Sequence, residues 1–459
     1  MALLAIVFMP VCGAAQSALG LEQAIATALA NNSDLRIARL AIDDSEQQVM
    51  LAWAEVMPTV TSSLNYTRSI ELPVQFLPGE FFGGAPGTLV PITFGADNSW
   101  QGGFTVNQTL FRGDAIVAIS SRDVYRLAAK ESSRATAQQV VTAARLAYYG
   151  VLIAEAQLRL ADASLTRLRA NLVENRARAA AGLLDDYDVL RLDVQLANEE
   201  PRRMEALDAY GKALRDLNLA MGLPVDAPTA VKGDLVSLDV FATETEAVNA
   251  ELMRVDRMVP LMPVDQVNAS ANRGDLRTLD VQRRLKDREI FAIRTEFVPE
   301  ITATYNRQWT DAFNGDVALA DNWNRFQTVS VNVNLPLFNG WRRMTNLKRA
   351  QIERRGIDER VRFAEQNARN ELTTAWQRLE RVFETASSRK RAVDQARRGY
   401  EIALARYRNG VGSQLDVNDA EYQFQIAELN YAVLVFEYLS AKAQYDLSRG
   451  DVPFVDATR

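Results

Sequence analysis

Two carboxylates are the best-placed candidates for chemistry in this chain. Asp416 and Asp419 follow the turn Asn409-Gly410-Val411-Gly412 and stand three residues apart, a spacing that puts both on one face of a helix. Like charges held together raise one another's pKa and attract cations. That chemistry is cation attraction rather than bond making. The same residues also fit a structural role. Ser413-Gln414-Leu415-Asp416 reads as a capping box, with Ser413 at the N-cap and Asp416 in the first turn. Asp185 and Asp188 repeat the device earlier in the chain, and that duplication favours capping for Asp416. Asp419 has Arg191 as its counterpart, so a cap explains it less well, and it is the stronger candidate for a role other than capping.

Other chemistries are poorly provided for. The chain of 459 residues has no histidine and a single cysteine, Cys12, which removes disulfides, thiol catalysis and the usual zinc sites together. No nucleotide loop, nucleophile triad or metal constellation is visible, so neither an enzyme nor a cofactor is expected. A net charge of −6, spread along the chain, gives no footprint for nucleic acid. Trp376, Tyr148 and Tyr149 stand at helical seam spacing and read as packing residues.

The elements that would position the carboxylates are written twice. Asn31, Asp34, Leu35, Pro58 and Asn65 recur as Asn272, Asp275, Leu276, Pro299 and Asn306. Leu110, Phe111 and Gly113 recur as Leu337, Phe338 and Gly340, and Gly182, Asp188, Val189 and Gly222 as Gly410, Asp416, Val417 and Gly450. The spacing between copies changes by a large step only once, between Pro58 and Leu110, which places one insertion in a single loop. Length alone would suggest about three domains. The internal tandem repeat argues instead for two fused halves, residues 16–224 and 264–453, joined by a connector at 225–263 and followed by a short tail at 454–459. The apolar stretch Ala2–Val11 with small residues after it reads as a signal peptide, residues 1–15. Cys12 is a weaker candidate for a lipid anchor, because bulky Val11 precedes it.

Four segments alternate with period two, as half-buried strands do. One side carries Val60, Ser62, Leu64 and Tyr66; then Phe104, Val106 and Leu110; then Ile301, Ala303, Tyr305 and Trp309; then Val329, Val331, Val333 and Leu335. The other side is Thr, Ser, Asn and Gln, including Asn65, Asn107, Asn306 and Asn332. A polar face without Lys or Glu suits a water-filled lumen, and aromatic residues towards strand ends (Tyr66, Phe111, Tyr305, Trp309) suit membrane girdles. Four strands cannot close a barrel, and an open edge inside lipid leaves backbone groups without partners. Strands in a membrane therefore require several copies of this chain.

Between strand pairs, apolar residues recur at three and four over about 114–181 and 342–408, each a helix of roughly 100 Å at 1.5 Å per residue. Both runs end at a glycine turn, Gly182 in one and Gly410 with Gly412 in the other, from which a second helix returns over about 186–221 and 415–449. The Gly/Pro/Phe-rich stretch 69–99 reads as a long loop, with 310–325 its shorter equivalent.

These residues resemble a family. Leu19-Gly-Leu-Glu-Gln-Ala-Ile-Ala-Thr-Ala-Leu-Ala-Asn-Asn-Ser-Asp-Leu35, the Leu-Phe-x-Gly motif at 110–113 and 337–340, and the turn Gly410–Ala420 are similar to TolC-family outer-membrane efflux proteins. The resemblance spans nearly the whole chain after the signal, in both copies. It implies a mostly α chain with a membrane β-barrel part: a homotrimer with four strands per chain, its outer-membrane barrel continued by a long periplasmic α-helical barrel. It further implies a passive exit duct for tripartite efflux or type I secretion in a Gram-negative bacterium. An inner-membrane transporter would feed it through a periplasmic adaptor protein, and the barrel would contact outer-membrane lipid. By the same resemblance, Asp416 and Asp419 match acidic residues ringing the periplasmic entrance. Gly412 replaces a basic residue found in a family member, while Tyr407 matches. Two other readings are an exported periplasmic helical-hairpin structural or adaptor protein without a pore, and a secreted surface protein.

Overall fold

The computed structural model describes residues 18–182, 185–238, 249–256, 272–316 and 318–455. The signal segment with Cys12, parts of the connector (239–248 and 257–263) and the end of the tail (456–459) lie outside the described residues. The chain is mostly helical. Its first elements are α1 (Leu21–Asn31), α2 (Ser33–Ala54), β1 (Thr59–Arg68), β2 (Val74–Pro78), β3 (Leu89–Thr93), β4 (Asn98–Phe111), α3 (Gly113–Ser120), α4 (Arg122–Ala180) and α5 (Asp186–Ala220). After α6 (Ala250–Val255) come α7 (Gly274–Thr295), β5 (Glu300–Phe313), β6 (Asn324–Asn334), α8 (Arg342–Arg408) and α9 (Gln414–Arg449).

The chain divides into two compact units. One comprises the described parts of 43–127 and 281–358 and holds all six strands of the described residues. Its main sheet is antiparallel throughout, in the order β1-β4-β5-β6, and no further strand pairs with the outer edge of β1 or β6 among the described residues. Every residue of β1 and β6 is exposed, so neither face of those strands is covered by the described residues. The sequence-based loop at 69–99 contains a separate hairpin, β2 with β3, and β4 already begins at Asn98. The second connection is shorter than expected, because β5 runs on to Phe313 and β6 starts at Asn324. That extension leaves Tyr305 in mid-strand, opposite Val106 and Val329, rather than at a girdle.

The other unit comprises the described parts of 1–42, 128–280 and 359–459 and is helical. Its core gathers Leu21 and Ile25 of α1, Val141 and Tyr148 of α4, Leu379 of α8 and Val435 and Leu439 of α9. The described part of the connector joins this core through Leu235, Leu238 and Leu252. It is tied by main-chain hydrogen bonds from Leu19 to Ala230 and from Lys232 to Leu19. Along the α4–α5 hairpin the seam narrows to Leu168, Leu172 and Leu192. Tyr148 and Tyr149 are fully buried, as packing residues should be, but each also has hydroxyl partners.

The first long helix is not continuous as expected. It breaks at buried Ser121, which closes α3: its N–H donates to the Val117 and Ala118 carbonyls at 3.0 and 3.1 Å and its hydroxyl to the Val117 carbonyl. By contrast, α8 is unbroken over 67 residues.

Candidate pore wall and gate residues

The sheet register sorts every strand residue to one of two faces, because paired residues point the same way and neighbours along a strand point opposite ways. Thr61, Thr105, Asn306 and Thr328 form one transverse row, and Asn65 and Gln101 continue it with Thr310 and Asn324. Asn107 sits between Thr59 and Thr304, whose hydroxyl donates to its Oδ1 at 2.9 Å, and Asn332 faces Thr302. The four asparagines singled out from the sequence therefore share one face with Thr, Ser and Gln. The opposite face runs through Val60, Val106, Tyr305 and Val329, then Ala303 with Val331 and Ile301 with Val333. Val60, Val329, Val331 and Val333 are each more than 60% exposed. An apolar sheet face this open is unfavourable in water and suits lipid.

One position departs from simple alternation. The register shifts between Thr109 and Phe111, so Leu110 is the extra residue of a bulge, and Phe111 rather than Leu110 pairs with Ile301 on the apolar face. Gln108 also falls on that face, and its amide donates to the carbonyls of Val56 and Thr109 at 2.7 and 2.8 Å. Alternation alone has no signal for a bulge. Aromatic residues stand at both ends of the sheet: Tyr66, Trp100 and Trp309 on the apolar face at the loop end with Trp323 just before β6, and exposed Phe338 and Trp341 just before α8.

At the far ends of the hairpins, Gly182 and Gly410 take the left-handed conformation with φ of 73° and 74°. Gly412 does not. A Cβ there would lie 3.1 Å from the Tyr407 nitrogen and the Arg406 Cβ, so that glycine serves close approach to the end of α8. Asp416 completes a reciprocal capping box: its carboxylate accepts from the Ser413 N–H at 3.1 Å, and its own N–H donates to the Ser413 hydroxyl at 3.2 Å. The Ser413 backbone N–H, then the Ser413 side chain, hold the Asp416 carboxyl below its ordinary value. The favourable contribution of this cap is present above the ordinary carboxylate pKa and fades as pH falls through the depressed one. In the first hairpin Asp185 caps α5 by accepting from the Tyr187 N–H at 3.1 Å. Asp419 is exposed one turn further along α9.

Sequence reading missed the polar links that tie the two hairpins beside these carboxylates. The Tyr407 hydroxyl donates to Asn175 Oδ1, and the Arg178 guanidinium lies 4.8 Å from the Tyr407 ring centre. Asn175 donates to Gln414 at 3.4 Å, Gln414 to Asn418 at 2.9 Å, and Asn418 to Gln195 at 3.4 Å. Above them Arg167 meets the nearly buried Glu421 at 2.6 Å. Tyr407, and Gln414 and Asn418 within the Gly410–Ala420 turn, had a sequence signal, but none as a tie between hairpins.

A second unforeseen cluster lies deep in the helical core. Arg145 is wholly buried and pairs with Asp256 and, at 3.0 Å, with Asp446, while Lys442 reaches Asp446 at 2.5 Å. The Tyr149 hydroxyl donates to Asp256, and Tyr438 donates to the Asp256 carbonyl at 3.2 Å. Burial opposes the Arg145 charge, but Asp256, Tyr149 and Asp446 outweigh it, and the guanidinium is held well above its ordinary pKa. Burial and then Asp256 push the Tyr149 phenol up. The two halves also share a joint. A Cβ on Gly222 would lie 2.5 Å from the Asn31 carbonyl oxygen, and one on Gly450 would lie 2.4 Å from the Asn272 carbonyl carbon.

Comparison with known proteins agrees with this geometry. The outer membrane efflux protein family matches residues 24–223 and 267–447. The solvent efflux pump outer membrane protein SrpC of Pseudomonas putida is 22% identical over 403 residues, covering 86% of this chain and 77% of that protein. The proteases secretion protein PrtF of Dickeya chrysanthemi is 22% identical over 354 residues, covering 77% and 71%. A crystal structure of CusC has the same fold, with a TM-score of 0.72 at 18% identity over 94% of this chain and 91% of that one.

Proposed function

The chain belongs to the outer membrane efflux protein family, a family of outer-membrane channels, and from that premise we propose that three copies form the passive exit duct of a tripartite efflux or secretion system. One observation carries the proposal: a four-stranded sheet with two unpaired edges, one Thr/Ser/Asn/Gln face and one exposed apolar face. In lipid both edges must find partners, and the smallest spanning barrels use about eight strands. Copies of this chain supply them, and three give a twelve-stranded barrel with Asn65, Asn107, Asn306 and Asn332 towards the lumen. The paired joints at Gly222 and Gly450 support descent of the two halves from one duplicated unit.

The helical hairpins would wall the periplasmic part of the duct, with an adaptor and an inner-membrane transporter supplying cargo and energy. Relatives named for solvent efflux and for protease secretion fit a duct whose cargo is chosen by its pump. We assign the periplasmic constriction to the hairpin tips. Both carboxylates are exposed, but Asp416 is committed to its capping box, and three copies of Asp419 would draw cations to a closed mouth.

Single-channel conductance in a planar bilayer tests the reading, comparing the native protein with Asp419→Ala. A cation-selective conductance that grows or loses selectivity in the variant is the expected result. A pore indifferent to the substitution would retire Asp419 as the gate and keep the duct. Membrane-inserted protein that never conducts would overturn the duct in favour of a structural role.

A further inference from the structure

We propose that the loop-end rim of the apolar sheet face binds the phosphate groups of an anionic outer-leaflet glycolipid, through Arg307 and Arg325 on either side of Trp309. The proposal rests on the reading that this sheet spans the outer membrane.

Arg325 is the direct ladder partner of Trp309, and Arg307 is two residues before Trp309 on the same strand, so all three side chains stand on the apolar face. The Arg307 guanidinium lies 4.9 Å from the Trp309 ring centre. Neither arginine has a carboxylate in salt-bridge range among the described residues. The one carboxylate on this face near them, Asp311, is occupied: it is 7% exposed and accepts the N–H groups of Asp321 and Asn322. Two guanidinium groups thus face outward from a lipid-exposed surface with no protein anion to neutralise them.

An arginine on the lipid face is tolerated near the membrane interface and is costly at the midplane. Arg307 and Arg325 therefore fix the depth of their row at headgroup level, and Trp100, Trp309 and Trp323 mark the same level by type. Arg68, also on this face by register, lies further towards the loops. The half of the face next to the helices carries no cation: its rows are Val60, Val106 and Val329, then Ala303 and Val331, then Ile301 and Val333. Positive charge is confined to one leaflet. A mobile counterion would satisfy it weakly, whereas a lipid phosphate matches the guanidinium fork and brings acyl chains for Phe104 and Tyr305 below. Charge complementarity therefore selects an anionic glycolipid as the occupant.

The test titrates purified, detergent-solubilised oligomer with bisphosphorylated lipid A and with its dephosphorylated form, reading tryptophan fluorescence and confirming stoichiometry by native mass spectrometry. The native protein should prefer the phosphorylated lipid, and Arg307→Gln/Arg325→Gln should bind it roughly thirtyfold more weakly, given the usual attraction of each arginine near an anionic surface. Arg307→Lys/Arg325→Lys should recover part of that loss by restoring charge without the fork. Equal binding of the two lipids by the native oligomer overturns the proposal without any variant being needed. So does an oligomer that falls apart when both arginines are replaced, which would make this face a contact between copies. Failure of native protein to insert into bilayers at all would instead remove the membrane-spanning premise.

Discussion

Removal of Arg145 should be the most damaging single change in the helical core. The cluster holds two cations, Arg145 and Lys442, against two carboxylates, Asp256 and Asp446, so its formal charge is zero. Arg145 and Asp256 are wholly buried and Asp446 is 5% exposed, so water cannot take over a lost partner. Arg145→Met keeps most of the side-chain volume but leaves one net negative charge, with Asp256 facing only the Tyr149 hydroxyl. Breaking a buried pair from one side typically costs about 3–5 kcal/mol, because the remaining charge is stranded. Replacing both partners should cost much less. Arg145→Met/Asp256→Asn returns the cluster to neutrality, and the amide oxygen introduced in place of the carboxylate can still accept from the Tyr149 hydroxyl. We expect the double variant to recover at least about 2 kcal/mol of the single-variant loss. Denaturation in detergent followed by far-ultraviolet circular dichroism, with outer-membrane yield as a second readout, gives the comparison. A single variant as stable as the native protein would refute the reasoning, and so would a double variant that simply adds two independent losses.

Three other perturbations have opposite or graded outcomes that the structure sets. Val331→Arg places a charge on the apolar face and should cost about 2–4 kcal/mol at mid-bilayer, lowering oligomer assembly in membrane fractions, whereas Asn332→Arg on the opposite face should assemble and shift ion selectivity. Gly410→Ala, in open space, should lose only the left-handed preference of about 1–2 kcal/mol. Gly222→Ala and Gly450→Ala add a clash with the start of α2 and α7 and should cost roughly 2–5 kcal/mol, measured as expression and unfolding of the four single variants including Gly182→Ala. Alkaline pH should loosen the core. Burial holds the Tyr149 phenol protonated in the folded chain, while unfolded phenols ionise near pH 10, so the unfolded state binds fewer protons above that pH and stability falls as pH rises. Tyr149→Phe should flatten that alkaline slope in a pH series of unfolding curves.

Local pattern made much of this architecture legible, and what it hid has common physical causes. Alternation in Val60–Thr67 and Val329–Leu335 placed strands and sorted their faces because each residue's own type carries the signal. The left-handed turns at Gly182 and Gly410 were legible for the same reason. The bulge at Leu110 was not, since a register shift belongs to the pairing of β4 with β5 and leaves no trace in either strand alone. The break at Ser121 was hidden because serine is tolerated inside helices, and its hydroxyl bond to Val117 is of the kind that Thr142 and Thr373 make within unbroken ones. The Arg145 cluster was hidden more deeply. Arg145 sits among alanines and tyrosines that read as ordinary seam, and its partners Asp256 and Asp446 are 111 and 301 residues away. Asn175 and Gln414 failed to announce themselves because a lone amide on a helix is usually solvated, and only the packed hairpins set them opposite Tyr407.

The distribution of these hidden contacts bears on how a duct could open at one end without coming apart. Around Val141, Leu379 and Val435 the helices are held by apolar burial, which is roughly proportional to area and does not release in small steps. Near the tips the apolar seam shrinks to Leu168, Leu172 and Leu192, and the ties between hairpins become the side-chain hydrogen bonds Tyr407 to Asn175, Asn175 to Gln414 and Asn418 to Gln195, with the Arg167–Glu421 ion pair above them. Each such bond contributes a net stability of only about 1 kcal/mol, since water replaces it when it breaks. On the proposed reading the entrance is therefore the part of the helical unit that separates at least cost. The Asp416 capping box, the Asp185 cap and the left-handed glycines keep each hairpin intact as it moves, because those bonds lie within one hairpin and not between two. Asp416 then belongs to what must stay fixed and Asp419 to the surface that changes neighbours, a division of labour between two carboxylates one turn apart.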